Sequence, residues 1–210
     1  MAENMTYTSL KDDLKRYLER GYPTDTEVLA QIPRLINAAE RAIAGQLKIL
    51  GMIEIVTANL VVGVSVYDKP DRWRETVSMQ CGVPRAQIFA RSYEYARTYW
   101  PDEAQLAVPE FYSDFGYTHW LIVPTPIATI PWEITYYQLP PLLDDTNGTN
   151  WLTNYAPNAL LYRALLEATP FLKNDERIPV WQGFYGDEMS KLDTDNIRKI
   201  VDRNVTRQGA

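Results

Sequence analysis

An α+β fold, a helical bundle built from the two ends of the chain with a small antiparallel β domain inserted between them, follows from three observations. The first stretch, up to Leu50, keeps a helical apolar period. From Gly51 to Pro140 the pattern changes to short runs rich in Val, Ile, Thr and aromatics, punctuated by Pro and Gly. After Pro141 helical spacing returns, most strongly across TNWLTNYAPNALLYRALLEATPFLKND, Thr149 to Asp175. Two helical ends flanking a β insert bury their apolar faces most simply against each other. The expected organisation is therefore N-terminal helices over 1–50, a β-rich insert over 51–140 shaped as a sandwich or partial barrel, C-terminal helices over 141–197, and a basic tail over 198–210.

The elements follow in order. Ser9 and Asp12 open a first helix with Leu10, Leu14, Tyr17 and Leu18 on one face and an Asp12 to Arg16 pair outside. It ends near Gly21 and Pro23. Thr24 and Glu27 form a capping-box pattern for a second helix, in which Leu29, Ile32, Leu35, Ile36, Ala39, Ile43 and Leu47 recur at helical spacing. An interior proline costs about 3 kcal/mol unless the helix kinks or restarts, so a bend or break is expected at Gln31 to Pro33. Strands are expected near 52–62, 74–80, 88–90, 111–115, 117–123 and 132–138. In the last, Trp132, Ile134 and Tyr136 alternate with Glu133, Thr135 and Tyr137, as in a half-buried strand. Arg91 to Trp100 reads as an alternative helical turn or two.

In the C-terminal part, Leu160, Leu161, Ala164, Leu165, Ala168, Phe171 and Leu172 define a buried helix. Pro157 suits its first turn, Asn154 its cap, and Pro170 its bend or end. A final helix starts near Arg177 with Val180, Trp181, Phe184, Tyr185, Met189 and Leu192 on one face, and a break is expected at Asp193 to Asn196.

Charge and motif content exclude several classes. The net charge is −6, distributed as 0 over 1–50, −4 over 51–140, −5 over 141–197 and +3 over 198–210. That balance argues against a general nucleic-acid binder, which carries a basic surplus. No run approaches the roughly 18 apolar residues of a membrane span, so no membrane partner is expected. Cys81 is the one cysteine and His119 the one histidine, which rules out an internal disulfide and a histidine-rich metal site. Within its strand, His119 reads as a structural residue rather than a catalytic base. Asp144 and Asp145 in a Pro, Gly and Asn loop read as a solvated turn rather than a magnesium pair. No phosphate-binding glycine loop occurs. The expectation is a non-enzyme without cofactor or metal.

Two features remain. Tyr93, Tyr95, Tyr99 and Trp100, interleaved with Arg91 and Arg97, suit core packing, a subunit interface, or stacking of single-stranded bases on a barrel. The basic tail, with Arg198, Lys199, Arg203 and Arg207, reads as a solvated terminus or a docking arm for an acidic partner.

Three segments together resemble the head-to-tail adaptor proteins of tailed bacteriophages, also called connector or head-completion proteins, including relatives of tail tubular protein A. They are YTSLKDDLKRYLERGYPTDTEVLAQIPRLINAAERAI, then RSYEYARTYW with PEFYSDFGYTHWLIVPTP, then TNWLTNYAPNALLYRALLEATPFLKNDERIPVWQGFYGDEMSKL. The segment after Leu192 matches weakly. The resemblance implies a structural virion protein made in the host cytoplasm. It would form a ring, expected to be dodecameric, between the portal and the next tail or nozzle protein, with DNA passing through the lumen without sequence-specific contacts. On that reading Tyr93, Tyr95, Trp100 and Trp132 are the expected subunit-interface residues, and Arg198, Lys199, Arg203 and Arg207 dock on the portal. The alternative is a single-stranded nucleic-acid-binding module using the aromatic cluster.

Overall fold

The computed structural model describes residues 4–20, 25–48, 50–171 and 176–200. Two compact units emerge, one of residues 1–51 with 140–210, the other of residues 52–139.

The first unit is helical. α1, Tyr7–Leu18, starts three residues earlier than a Ser9 cap would place it, because Thr6 is the cap and Ser9, the third helical residue, closes its capping box. Tyr7, Leu10, Leu14 and Leu18 are buried and Tyr17 is exposed. The expected Asp12 to Arg16 pair is replaced by Asp12 with Lys15 and Asp13 with Arg16. α2, Thr26–Gln46, is capped by Asp25, whose carboxylate accepts from the Val28 amide; Thr24 lies outside the described residues. The helix does not break at Pro33. The proline ring leaves the Leu29 carbonyl without its usual donor. Leu29 is exposed, so water can take that carbonyl, while buried Ile32, Leu35 and Ile36 hold the helix on either side of the ring.

α4, Trp151–Tyr155, and α5, Pro157–Glu167, follow the return from the second unit. Pro157 sits in the first turn of α5 as expected. The cap is not Asn154: Asn150 caps α4 in a capping box with Thr153, and α5 begins with no side-chain cap. α5 lies at the centre of the unit, packed against α1, α2, α4 and the last helix, which is why its sequence is apolar on nearly every side. Pro170 lies in a 3-10 turn, Thr169–Phe171, that follows α5; Leu172 lies outside the described residues. α6, Ile178–Ile200, runs through the expected break at 193–196. The reason is Asn196, buried within the unit, whose side chain accepts from the Leu50 amide at 3.0 Å and donates to the Lys48 carbonyl at 3.1 Å. A residue that reads locally as a helix breaker serves here as a tie to the segment leaving α2.

One buried acid organises the return segment. Glu40 on α2 is fully buried and accepts from the Leu143 amide and from Asn150 Nδ2 at 2.6 Å. The Asn37 amide, in the orientation that satisfies both its groups, donates to Glu40 Oε2 at 3.0 Å and to the Leu143 carbonyl at 3.2 Å. Burial without a contacting cation pushes the Glu40 carboxyl up to about 7, against the pull of its hydrogen bonds.

The second unit is a curled, half-barrel sheet. Its strands are β1 Ile53–Leu60, β2 Val66–Asp68, β3 Trp73–Cys81, β4 Ala86–Ala90, β5 Leu106–Ala107, β6 Phe111–Asp114, β7 His119–Val123, β8 Thr125–Pro126 and β9 Ile130–Gln138; α3, Tyr93–Tyr99, follows β4. Seven strands form one sheet in the order β1-β9-β3-β4-β6-β7-β2, and β5 with β8 forms a separate ribbon. The antiparallel expectation holds except for the β4 to β6 pair and the ribbon, which are parallel. α3 explains the first exception: it crosses from the end of β4 and returns the chain beside it in the same direction. Strand β9 alternates as its sequence predicts, with Trp132, Ile134 and Tyr136 buried. They join Leu60, Met79, Ile88, Trp120 and Ile122 in the core of the curl. β2, β5 and β8 are too short to carry a periodic signal and were not expected.

Candidate interaction surfaces

The helix α3 forms because Ser92 caps it, its hydroxyl accepting from the Tyr95 amide at 3.2 Å, and because Ala96 is small enough to bury against Leu121 and Val123. That anchoring turns the larger side chains of the helix outward. Tyr95 packs at a tilt on Tyr99, 4.6 Å between ring centres, and Trp100 packs on Phe111 at 5.4 Å. Tyr93 lies 5.3 Å from Phe115. Tyr99 is 62% exposed and Tyr93 39%, so the cluster is a shelf whose roots are packed and whose rim is open. Phe111 and Phe115 complete it across β6, which the sequence spacing of the tyrosines alone could not reveal. An open cleft of about 660 Å³ runs beside it, lined by Arg91, Tyr93, Glu94, Asp114 and Phe115 among others.

The interleaved arginines both lie against rings of this shelf. Arg91 lies over Tyr95 and Phe111, and Arg97 lies over Tyr93 while pairing with Glu103 at 2.8 Å. Their charges are thus directed at rings and a carboxylate of the same unit, and the cleft carries Glu94 and Asp114 as well. That is a poor cradle for a phosphate backbone.

Trp132 is placed differently from the other predicted interface residues. Its indole is 5% exposed and packs between Tyr67 at 5.1 Å and Trp120 at 5.9 Å, within the core of the sheet. It has almost no surface to offer a neighbour. Its strand position gave an alternation, and alternation marks the buried face.

His119 sits on β7 opposite Asp68 of β2, with Nε2 3.0 Å from the Asp68 carboxylate and Nδ1 2.6 Å from the Thr118 hydroxyl. Both ring nitrogens are engaged in cross-strand and local contacts, the arrangement of a structural strand residue. Asp144 accepts from the Thr146 and Asn147 amides and the Thr146 hydroxyl, bonds that hold its carboxyl below the ordinary range, while Asp145 pairs with Lys11 at 2.9 Å. The adjacent acids form a turn. Cys81 is buried, which pushes its thiol up and leaves it unreactive. Among the described residues no cluster of His, Cys, Asp and Glu could hold a metal ion, and no helix is long and apolar enough to cross a membrane. In the tail, the backbone of Arg198 and Lys199 continues the last turn of α6. Arg203 and Arg207 lie outside the described residues.

A second exposed surface was not singled out by sequence spacing. Three segments meet at one end of the β unit through backbone hydrogen bonds: Gly63 donates to the Pro126 carbonyl, Ile127 to the Ala107 carbonyl and Ile122 to the Ser65 carbonyl. Gly63 takes a left-handed backbone, φ 75°, which lets the 61–65 link turn tightly between β1 and β2. The side chains there, Val61, Val62, Val64, Leu106, Val108 and Ile127, are all exposed. No charged residue occurs in 55–67, 104–109 or 120–132. The readable signal was that uncharged length, which a period-based reading passes over.

No curated protein matches the chain. A family model described as SU10 adaptor protein matches residues 5–208, through both compact units. With helical ends, a β insert and surfaces built of packed aromatics and uncharged loops, the chain belongs to the SU10 adaptor family, structural head-to-tail adaptors of phage virions.

Proposed function

We propose that the protein assembles into a ring, dodecameric in the expected form, between the portal and the next tail component, and so provides the passage for DNA during packaging, retention and ejection. The observation that carries this reading is the family match over 5–208, which leaves neither unit outside the adaptor. A closed ring needs a heterologous contact in which one face of each subunit fits a different face of the next. The α3 shelf, with Tyr93, Tyr95 and Trp100, supplies one such face. Net acidity suits a lumen through which DNA slides, because like charge keeps the duplex from adhering.

The basic tail, with Arg198, Lys199, Arg203 and Arg207, is the docking arm for the portal in this scheme. Light scattering after size exclusion, on the chain alone and mixed with its cognate portal protein, tests the whole reading. A subunit that becomes a multi-copy ring on the portal supports it; a chain that stays monomeric and ignores the portal refutes it. Removing 198–210 should leave folding intact and weaken portal binding, and unchanged binding would remove the tail from the scheme.

A further inference from the structure

We infer that the uncharged end of the β unit is the face that receives the aromatic shelf of a neighbouring copy of this chain, an assignment that rests on the ring proposed above. Val61, Val62, Val64, Leu106, Val108 and Ile127 are 39% to 61% exposed, and hydrogen bonds join their three segments into one surface. Together they leave on the order of 450 Å² of apolar side chain facing water, comparable to the largest patch a monomer usually carries. That is about half of the ~800 Å² each partner contributes to a standard interface. The edge of β1 extends it. β1 is an eight-residue end strand with β9 on one side and, among the described residues, no strand on the other, and Glu54 is its only charged residue. Lysine and proline, which usually guard such an edge, are absent from it.

Charge selects the occupant. The face has no lysine or arginine with which to hold DNA, and apart from Glu54 on the β1 edge no carboxylate with which to meet a basic partner. Two copies of a chain with net charge −6 repel through most of their surfaces. An uncharged face lets such copies approach without desolvating any charge. Its complement must also be apolar and must lie on a different part of the subunit, as ring closure requires. The shelf is built on α3 and β6 rather than on the 61–65, 106–108 and 125–127 links; Tyr99 and Tyr93 are open at its rim, Arg97 is paired with Glu103, and Arg91 lies over the Tyr95 and Phe111 rings. Tyrosine and tryptophan are among the residues that most often anchor an interface, and the shelf carries both.

The test uses two variants of the full chain. One carries Val62→Glu with Ile127→Glu, and the other carries Tyr99→Glu; all three side chains are about half exposed or more, so the fold should survive. Assembly is followed by sedimentation velocity with the cognate portal as template, and melting temperature checks folding. Each variant alone should fail to form the ring, while an equimolar mixture should give a one-to-one pair, since each contributes the face that the other lacks. Val83→Glu, at an 88% exposed hairpin tip, should assemble like the parent. If the glutamates lower the melting temperature, Val62→Ser with Ile127→Ser is read instead, with at least a roughly tenfold weaker assembly expected. A ring formed normally by the end-face variant overturns the assignment. So does a ring that forms but no longer recruits the tail component, a mixture that does not pair, or an equal loss in Val83→Glu. Failure of the parent chain itself to form a ring on the portal overturns the adaptor-ring reading, and this inference with it.

Discussion

Glu40 makes the helical unit sensitive to pH in a calculable way. Its carboxyl has no exposure to water, and the groups that meet it are neutral amides from Leu143, Asn150 and Asn37. Of the charged groups nearby, Arg41 favours its ionised form and Asp144 opposes it, and desolvation outweighs both, raising the carboxyl from 4.5 to about 7. A carboxyl raised on folding binds its proton more tightly in the native state than in the unfolded chain. Its contribution is therefore fully present below the unfolded value and is lost as pH rises through the native value. The full span is roughly 3 kcal/mol, because each tenfold gain in proton affinity on folding is worth about 1.36 kcal/mol. About 2.5 kcal/mol of it falls between pH ~5 and pH ~8. Glu40→Gln keeps the shape and cannot ionise, and Asn37 can turn its carbonyl to the new amide. Urea unfolding of parent and variant at both pH values isolates the Glu40 contribution, because every other titrating group cancels in the difference. The parent should lose about 2.5 kcal/mol more than the variant on going to pH ~8. Equal losses in the two proteins would refute the account of Glu40 as a buried, uncompensated acid.

Three further outcomes follow from contacts in the structure. A methyl group added at Gly51 would collide with the Trp151 indole, so Gly51→Ala should destabilise the helical unit by about 2 kcal/mol, with Trp151→Leu in the same chain restoring most of it on thermal melts. Lys69, its side chain fully buried, reaches Asp114 at 2.9 Å and the Gly116 carbonyl at 2.6 Å while lying 3.4 Å over the Trp73 ring; Lys69→Ala should cost the β unit about 3 kcal/mol in denaturant, and a cost below ~1 kcal/mol would show that the buried cation is dispensable. Asn196→Ala removes both bonds to the 48–50 segment, for an expected loss of about 2 kcal/mol and faster hydrogen exchange at the Leu50 amide; unchanged exchange there would separate Asn196 from the tie assigned to it.

Where a segment's local pattern and its tertiary role agree, the sequence was sufficient. Hydrophobic spacing in α1, α2 and α5 located the helices, because burial of one face imposes a 3.6-residue period on any helix that packs. The alternation of Trp132, Ile134 and Tyr136 located β9 and its buried face for the parallel reason in a strand. That rule also explains why Trp132 could not be both the inward member of that alternation and an open contact residue. Composition further decided that a histidine-rich metal site or an internal disulfide was impossible, since one histidine and one cysteine cannot build either.

What only the tertiary structure decided were features made by residues far apart in sequence. Pro33 and the 193–196 segment look like breaks because propensity counts local costs, yet both helices continue, one through flanking core contacts and the other through bonds from Asn196 to Lys48 and Leu50. Asn150 rather than Asn154 caps a helix while also binding Glu40, a partner 110 positions away. The completion of the shelf by Phe111 and Phe115, and the joining of 61–64, 106–108 and 127 into one uncharged surface, arise the same way. A one-dimensional pattern records which side of an element faces the core. Which distant groups then satisfy each hydrogen bond, and which exposed side chains become neighbours, is settled when the chain closes on itself.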